Sequence, residues 1–332
     1  VASNFKYIIP PEVVRRSNRQ DKYENRVSNW TRLWDGEEPF DAAFLGAPLG
    51  KAAQSGTSGA AGGPNAVREA FMANTTYSPD FDVDLQQLRV ADLGDVVMHI
   101  TDVLRCHRNI KEAVTEFYGR VGDKLLVLVG GDHSITCPVV EGYCLTHPGQ
   151  RLGLIHFDAH NDVRSFEAGG PTNGTPIRGI LEGPATVAGR NVVQLGIHGF
   201  MNSSYYKGYC QEQGMTVVSV REIRRRGIDE VVQQAVSLAT SETHAVYVSV
   251  DIDVLSLAYA PGTGAASAEG LEPWDVLEAM FVLGQHPAVV GLDLVCLDPL
   301  RDFNNYTART AAGIILTFLG GFLLRHTGGK GY

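Results

Sequence analysis

Leu152-Gly153-Leu154-Ile155-His156-Phe157-Asp158-Ala159-His160-Asn161-Asp162 is an apolar run that ends on alternating acid and imidazole side chains. A short apolar run of this length reads as a buried strand. Side chains at i, i+2 and i+4 of a strand share a face, so Asp158, His160 and Asp162 are expected to converge. The same arrangement recurs twice. Leu125-Leu126-Val127-Leu128-Val129 runs into Gly130-Gly131-Asp132-His133-Ser134, and Val246-Tyr247-Val248-Ser249-Val250 runs into Asp251-Ile252-Asp253. Further apolar strand signals fall at 42–45, 90–93, 192–196, 216–219 and 288–295, with helical segments between them, including 65–72 and 101–121. Such alternation predicts an α/β fold with a largely parallel sheet and helices on both faces. Ligands of open α/β sheets gather at the carboxyl ends of the strands. His133, Asp158, His160, Asp162, Asp251 and Asp253 therefore form a candidate metal centre. Four carboxylates at one place repel each other unless cations lie between them. The oxygen-rich donor set suits two octahedral divalent ions, with Mn²⁺ first.

The remainder of the chain narrows the class. It has 332 residues, a net charge of -9 and 44% hydrophobic residues, which fits one large domain with a real core. The only basic run is Arg221–Arg226, read as a solvated helix end, so nucleic acid is not an expected partner. Five cysteines without a CxxC spacing argue against a disulfide framework and for a reducing, cytoplasmic setting. The longest apolar stretch, Ile314–Leu324, is interrupted by Gly320-Gly321, so no membrane span is expected. No secretory pattern is visible. The chain begins Val1-Ala2-Ser3 without methionine, and a missing natural N-terminus is the expected reading. Residues 1–38 are polar and charged, and read as an N-terminal extension docked through Trp30 and Trp34; residues 39–332 read as the catalytic domain. The Gly-rich stretch 56–63 lacks a P-loop ending and reads as a substrate-rim loop. His156 reads as a satisfied core histidine, and His99, His107, His147, His244, His286 and His326 as surface or loop residues.

The blocks GGDHS (130–134), DAHND (158–162) and SVDID (249–253) resemble those of the ureohydrolase family, which includes arginases, agmatinases, guanidinobutyrases and formimidoylglutamases. Gly62-Gly63-Pro64 with Arg68, Asp92-Leu93-Gly94-Asp95 and Ala260-Pro261-Gly262-Thr263-Gly264 support the likeness. The resemblance implies a three-layer α/β/α sandwich. It also implies two Mn²⁺ ions on the six ligands above, bridged by a hydroxide that attacks a C=N carbon. Asp162 and His160 are then the catalytic candidates, with Asp162 placed to relay a proton. Arginases and agmatinases usually carry a histidine where Asn173 stands. Arg164 and the GGPTNGTP stretch (169–176) look like formimidoylglutamase instead. Arg164 suits a substrate carboxylate, and Asn173 a formimino nitrogen. The implied reaction converts N-formimidoyl-L-glutamate to L-glutamate and formamide in histidine breakdown.

Three positions depart from the family pattern. Cys296 stands where a substrate-binding glutamate is usual, with Asp298 as a possible substitute. Ser256-Leu257 replaces Asp-Pro, and His198 replaces an arginine. The alternatives are a guanidino-substrate hydrolase (agmatinase, guanidinobutyrase or arginase) and an inactive regulatory homologue. A homo-oligomer, trimer or hexamer, is expected by analogy with the family.

Overall fold

The apolar runs lie side by side as strands of one parallel sheet. The computed structural model describes residues 5–14, 16–18, 21–54 and 58–329; Val1-Ala2-Ser3 and part of the expected rim loop lie outside them. The strands in chain order are β1 (Ile8–Ile9), β2 (Arg32–Leu33), β3 (Ala42–Ala47), β4 (Tyr77–Ser78), β5 (Val83–Asp84), β6 (Val90–Val96), β7 (Leu125–Gly130), β8 (Leu152–Phe157), β9 (Val192–Ile197), β10 (Thr216–Ser219), β11 (Ala245–Asp251) and β12 (Val289–Val295). Among the described residues, ten form one sheet in the order β1-β6-β3-β7-β12-β11-β8-β9-β10, with β2 also on β6. Only β1 pairs antiparallel within it. β4 and β5 form a separate small ladder.

Both faces of the sheet are covered, which explains the continuous apolar runs. Leu125, Val127 and Val129 of β7 enter one core with Ile155, Phe157, Val246, Val248 and Val250. Leu126 and Leu128 enter the opposite core with Leu152, Leu154, Ala245 and Tyr247. The layers are therefore helix, sheet, helix, as expected.

The N-terminal stretch contributes to the sheet through β1 and β2. Its tryptophans dock as anticipated. Trp30 Nε1 donates to Leu88 O at 3.0 Å, and Trp34 lies between Phe5 and Phe40. Arg68, on the helix Gly63–Ala70, forks both oxygens of Asp92 and reaches Asp95 at 2.8 Å, tying that helix to β6.

One expectation is overturned. Gly320-Gly321 does not break the C-terminal apolar run: a single helix spans Tyr306–Thr327. By length and composition it could cross a membrane (mean hydropathy 1.5), yet 67% of its apolar window is buried in the core. The glycines serve close packing against the helix Pro273–Gln285. A Cβ on Gly321 would sit 2.2 Å from Phe281 O, and one on Gly284 would sit 2.2 Å from Phe318 O.

Candidate metal centre and substrate cleft

β7, β12, β11 and β8 are consecutive in the sheet, and their registers set their carboxyl ends level. Val250 pairs with Phe157, Asp251 with Val295, and Val129 with Leu294. The residues that follow these pairs must share one patch. Each strand then turns sharply. Asp132 caps the turn carrying His133, its carboxylate accepting from Ser134 N–H at 3.1 Å. Asp251 accepts from Asp253 N–H at 3.0 Å, closing the turn at the end of β11.

The turn after β8 corrects the strand-alternation argument. β8 stops at Phe157, so Asp158, His160 and Asp162 are loop residues. They converge because the chain coils back, with Asp162 in the left-handed region at φ 50°. Aspartate tolerates that conformation better than most residues. Asn202 holds the coil from outside. Its Nδ2 donates to Ala159 O (2.8 Å) and His198 O (3.1 Å), and its Oδ1 accepts from Asn161 N–H (3.0 Å).

All six predicted ligand positions come together. His133 Nδ1 lies 3.1 Å from Asp158, 3.0 Å from Asp162 and 3.2 Å from Asp251. His160 Nδ1 lies 3.1 Å from Asp158 and 3.2 Å from Asp253. Asp158 faces both imidazoles, which gives the patch two halves that share a carboxylate. His133 Nδ1 is fully buried and makes no hydrogen bond among the described residues despite three carboxylate oxygens nearby. A buried nitrogen aimed at a point where three acids also converge fits a cation there. Titration agrees. Burial and the neighbouring Asp158 charge raise the Asp162 carboxyl. Burial with Asp251 and Asp158 raises that of Asp253 further. Burial alone would push His160 down, but Asp253 and Asp158 outweigh it and raise it to about 12. Burial would raise Asp158 as well, but the imidazoles of His133 and His156 outweigh it and hold that carboxyl well below the usual range. Raised Asp162 and Asp253 beside an ionised Asp158 mark excess negative charge that two cations would offset.

A polar row lies beneath this patch. His133 Nε2 meets Ser249 Oγ at 3.0 Å, and Ser249 donates to Asp293 at 2.6 Å. His156 is fully buried, as a core histidine should be, but its Nε2 bonds Asp158 at 2.9 Å. Asp293 and Gln194 were not anticipated. Their signal was a charged or amide residue in the middle of an apolar strand. His107 departs from its expected surface role: its Nε2 reaches Ser134 Oγ at 2.9 Å, beside His133.

Cys296 ends β12 at the patch, at φ 65°, with its N–H donating to Gly131 O (2.8 Å). Burial and the charges of Asp251 and Asp253 raise its thiol well above the usual range, so it stays neutral. Asp298 does not replace the missing glutamate. Its carboxylate accepts from Gly59 N–H and Leu300 N–H, both at 2.9 Å, and clamps the turn Gly59–Gly62.

Asn173 and Arg164 lie on the loop that follows Asp162. Asn173 Oδ1 accepts from Gln54 N–H (2.9 Å), and its own N–H donates to Ala52 O (3.0 Å), joining two rim loops. Arg164 is exposed and forms no ion pair among the described residues. Its backbone N–H donates to Gly174 O (2.9 Å), and its stem lies against Gly174. His198 bonds Gly196 O through Nδ1 (2.6 Å), leaving Nε2 buried and without a hydrogen-bond partner among the described residues.

Two histidines and four carboxylates on adjacent parallel strand ends define a binuclear metallohydrolase-type centre. Comparison with known proteins gives the lineage: the arginase family model matches residues 40–320, and the chain belongs to that family. The formimidoylglutamase of Halalkalibacterium halodurans is 38% identical, covering 93% of this chain and 95% of the relative. The solved formimidoylglutamase of Bacillus subtilis superposes with a TM-score of 0.88 at 33% identity, covering 93% of this chain and 95% of that one. Trypanosoma cruzi formiminoglutamase, solved with Mn²⁺, shares the fold at a TM-score of 0.83 and 24% identity, over 91% and 99% of the two chains.

Proposed function

We propose that this protein is a Mn²⁺-dependent formimidoylglutamase, hydrolysing N-formimidoyl-L-glutamate to L-glutamate and formamide. The observation that carries the substrate assignment is Arg164, an exposed guanidinium that forms no ion pair among the described residues, two residues beyond Asp162. Two residues of chain span at most about 7 Å, so the base of the Arg164 side chain starts beside the metal patch, within reach of a carboxylate on a substrate that extends from it. An agmatine-like cation would be repelled there. The names of the relatives above agree.

His133, Asp158, Asp162 and Asp251 would hold one Mn²⁺, and His160, Asp158 and Asp253 the other. Bound there, the pair supplies a water acidic enough to ionise near neutral pH. Asp162 would accept a proton from the attacking water and return it to the departing glutamate nitrogen, as the carbon–nitrogen bond breaks and formamide keeps the new oxygen. His160 holds its half of the patch in register. Asn173, with Oδ1 occupied by Gln54, offers its amide N–H groups toward the substrate. The neutral Cys296 thiol adds no fifth negative charge beside Asp251 and Asp253. That leaves less pull on a guanidinium than a glutamate would exert.

We further infer a cytoplasmic homo-oligomer, trimer or hexamer, acting on a small amidine dicarboxylate. Five free thiols favour the reducing compartment, and the family likeness favours the assembly. The deciding experiment is a panel assay resolving formamide, ammonia and urea. Formamide from N-formimidoylglutamate at the highest kcat/KM is expected. Urea from arginine, agmatine or guanidinobutyrate at a higher value overturns the substrate, and an inert Mn²⁺-loaded protein overturns the enzyme reading. Light scattering that finds a monomer at micromolar concentration removes the oligomer.

A further inference from the structure

Register places four polar residues in one row across four adjacent strands. Asp293 pairs with Ser249, Ser249 with His156, and His156 with Gln194. All four are fully buried. Buried polar side chains in a sheet core are costly unless each is satisfied, so this row needs a purpose.

Gln194 settles the orientation of its half of the row. Its amide lies 2.7 Å from Asn161 O, a backbone carbonyl that can only accept. The atom there must be Nε2, whatever the usual ambiguity of a carboxamide. The opposite atom, Oε1, accepts from Asn161 Nδ2 at 2.8 Å, which agrees. The same Nε2 group lies 3.0 Å from His156 Nδ1 and donates to it. His156 Nδ1 is therefore an acceptor, and a neutral ring must carry its proton on Nε2. Nε2 is 2.9 Å from Asp158 Oδ2 and donates to it. Neither ring nitrogen keeps a free lone pair for a cation, although the ring lies beside His133 and Asp158. Asp158 is the carboxylate facing both His133 and His160.

We propose that His156 and Gln194 are positioning residues. Gln194 locks His156 as the Nε2–H tautomer, and that N–H aims the Asp158 carboxylate so that both halves of the metal patch can use it. Outer partners of this kind typically change metal affinity about 10- to 100-fold when lost. The inference rests on the metal reading given above. Its first readout, however, needs neither metal nor substrate.

The test has two arms. In protein labelled with ¹⁵N-histidine and freed of metal, the His156 signal should show protonated Nε2 and bare Nδ1. Gln194→Glu, which has no donor at that place, should abolish that pattern. In the second arm, Mn²⁺ is titrated while the EPR signal of the free ion is followed. His156→Leu should bind about 10- to 100-fold more weakly. His156→Gln, whose carboxamide nitrogen takes the place of Nε2, should recover most of the loss. A proton on Nδ1 overturns the proposal. So does His156→Leu with the original affinity, or His156→Gln no better than His156→Leu. If His156→Leu fails to fold, the tautomer and the His156→Gln titration still decide. Wild-type protein with the expected tautomer but no Mn²⁺ binding would instead refute the metal reading.

Discussion

Replacing Arg164 tests the substrate assignment most directly. The guanidinium is exposed and forms no ion pair among the described residues, so Arg164→Gln leaves no buried partner stranded and should fold normally. Its contact with a substrate carboxylate is made partly in water. At about 4 Å the attraction lies between about 1 kcal/mol in bulk solvent and about 4 kcal/mol near a protein surface. A charge-assisted hydrogen bond nets about 1.5–3 kcal/mol. A value of about 2 kcal/mol corresponds to about 30-fold in kcat/KM. The contact is remote from the reacting carbon and equal in ground and transition states, so the loss should appear in KM with kcat nearly kept. The assay compares N-formimidoylglutamate with its side-chain amide, N-formimidoylglutamine. Wild-type enzyme should prefer the acid about 30-fold, and Arg164→Gln should erase that preference. Gly174→Ala should act in the same direction without removing the charge, since its Cβ would fall 2.6 Å from Arg164 Cδ. If Arg164→Gln weakens acid and amide equally, Arg164 does not read the side-chain carboxylate and the reasoning fails.

Three further outcomes are expected. Asp162→Asn keeps a residue that accepts φ 50° but cannot relay a proton; kcat should fall about 100-fold or more, and undiminished turnover at saturating Mn²⁺ would sink the role. Cys296→Glu restores a carboxylate beside Asp251 and Asp253 and should shift preference toward guanidino substrates; unchanged kinetics on both substrate types would make the thiol merely structural. Burial lowers His107 to about 4, while the unfolded chain takes up that proton near 6.5. This stabilising contribution is present above pH 6.5 and fades as the pH falls toward 4, by up to about 3 kcal/mol. Urea melts across that window should therefore flatten in His107→Gln, and an unaltered slope would contradict the assignment.

The strands were legible because a sheet covered on both faces needs apolar side chains at most positions. Such runs stand out without any knowledge of pairing. The candidate ligand cluster was legible for a chemical reason, since histidines and aspartates packed after apolar runs suit cations, and the structure brings all six side chains together. Two readings failed where tertiary geometry overrules local pattern. Gly320-Gly321 looked like a break because glycine weakens isolated helices. In the core it permits the approach of Gly284 and Phe281, which offsets that cost. The spacing of Asp158, His160 and Asp162 suggested a strand face, while the chain uses the left-handed turn at Asp162 to bring them together.

The row beneath the site shows what register adds to a sequence. His156 stands two residues before Asp158, and Ser249 two before Asp251. In parallel strands, equal offsets from a level edge mean equal height, so these polar side chains had to be neighbours once β8 and β11 paired. Gln194 and Asp293 join them only through β9 and β12, whose places in the sheet no local pattern reveals. Each alone reads as one polar residue in an apolar strand, an unexplained cost. Paired, they become a support that holds His133 through Ser249 and Asp158 through His156. The cost of burying them is then tied to the same charges that the site needs to hold its cations. A polar residue in a buried strand, just short of its ligand-bearing end, should be read together with its register partners before it is assigned to the core.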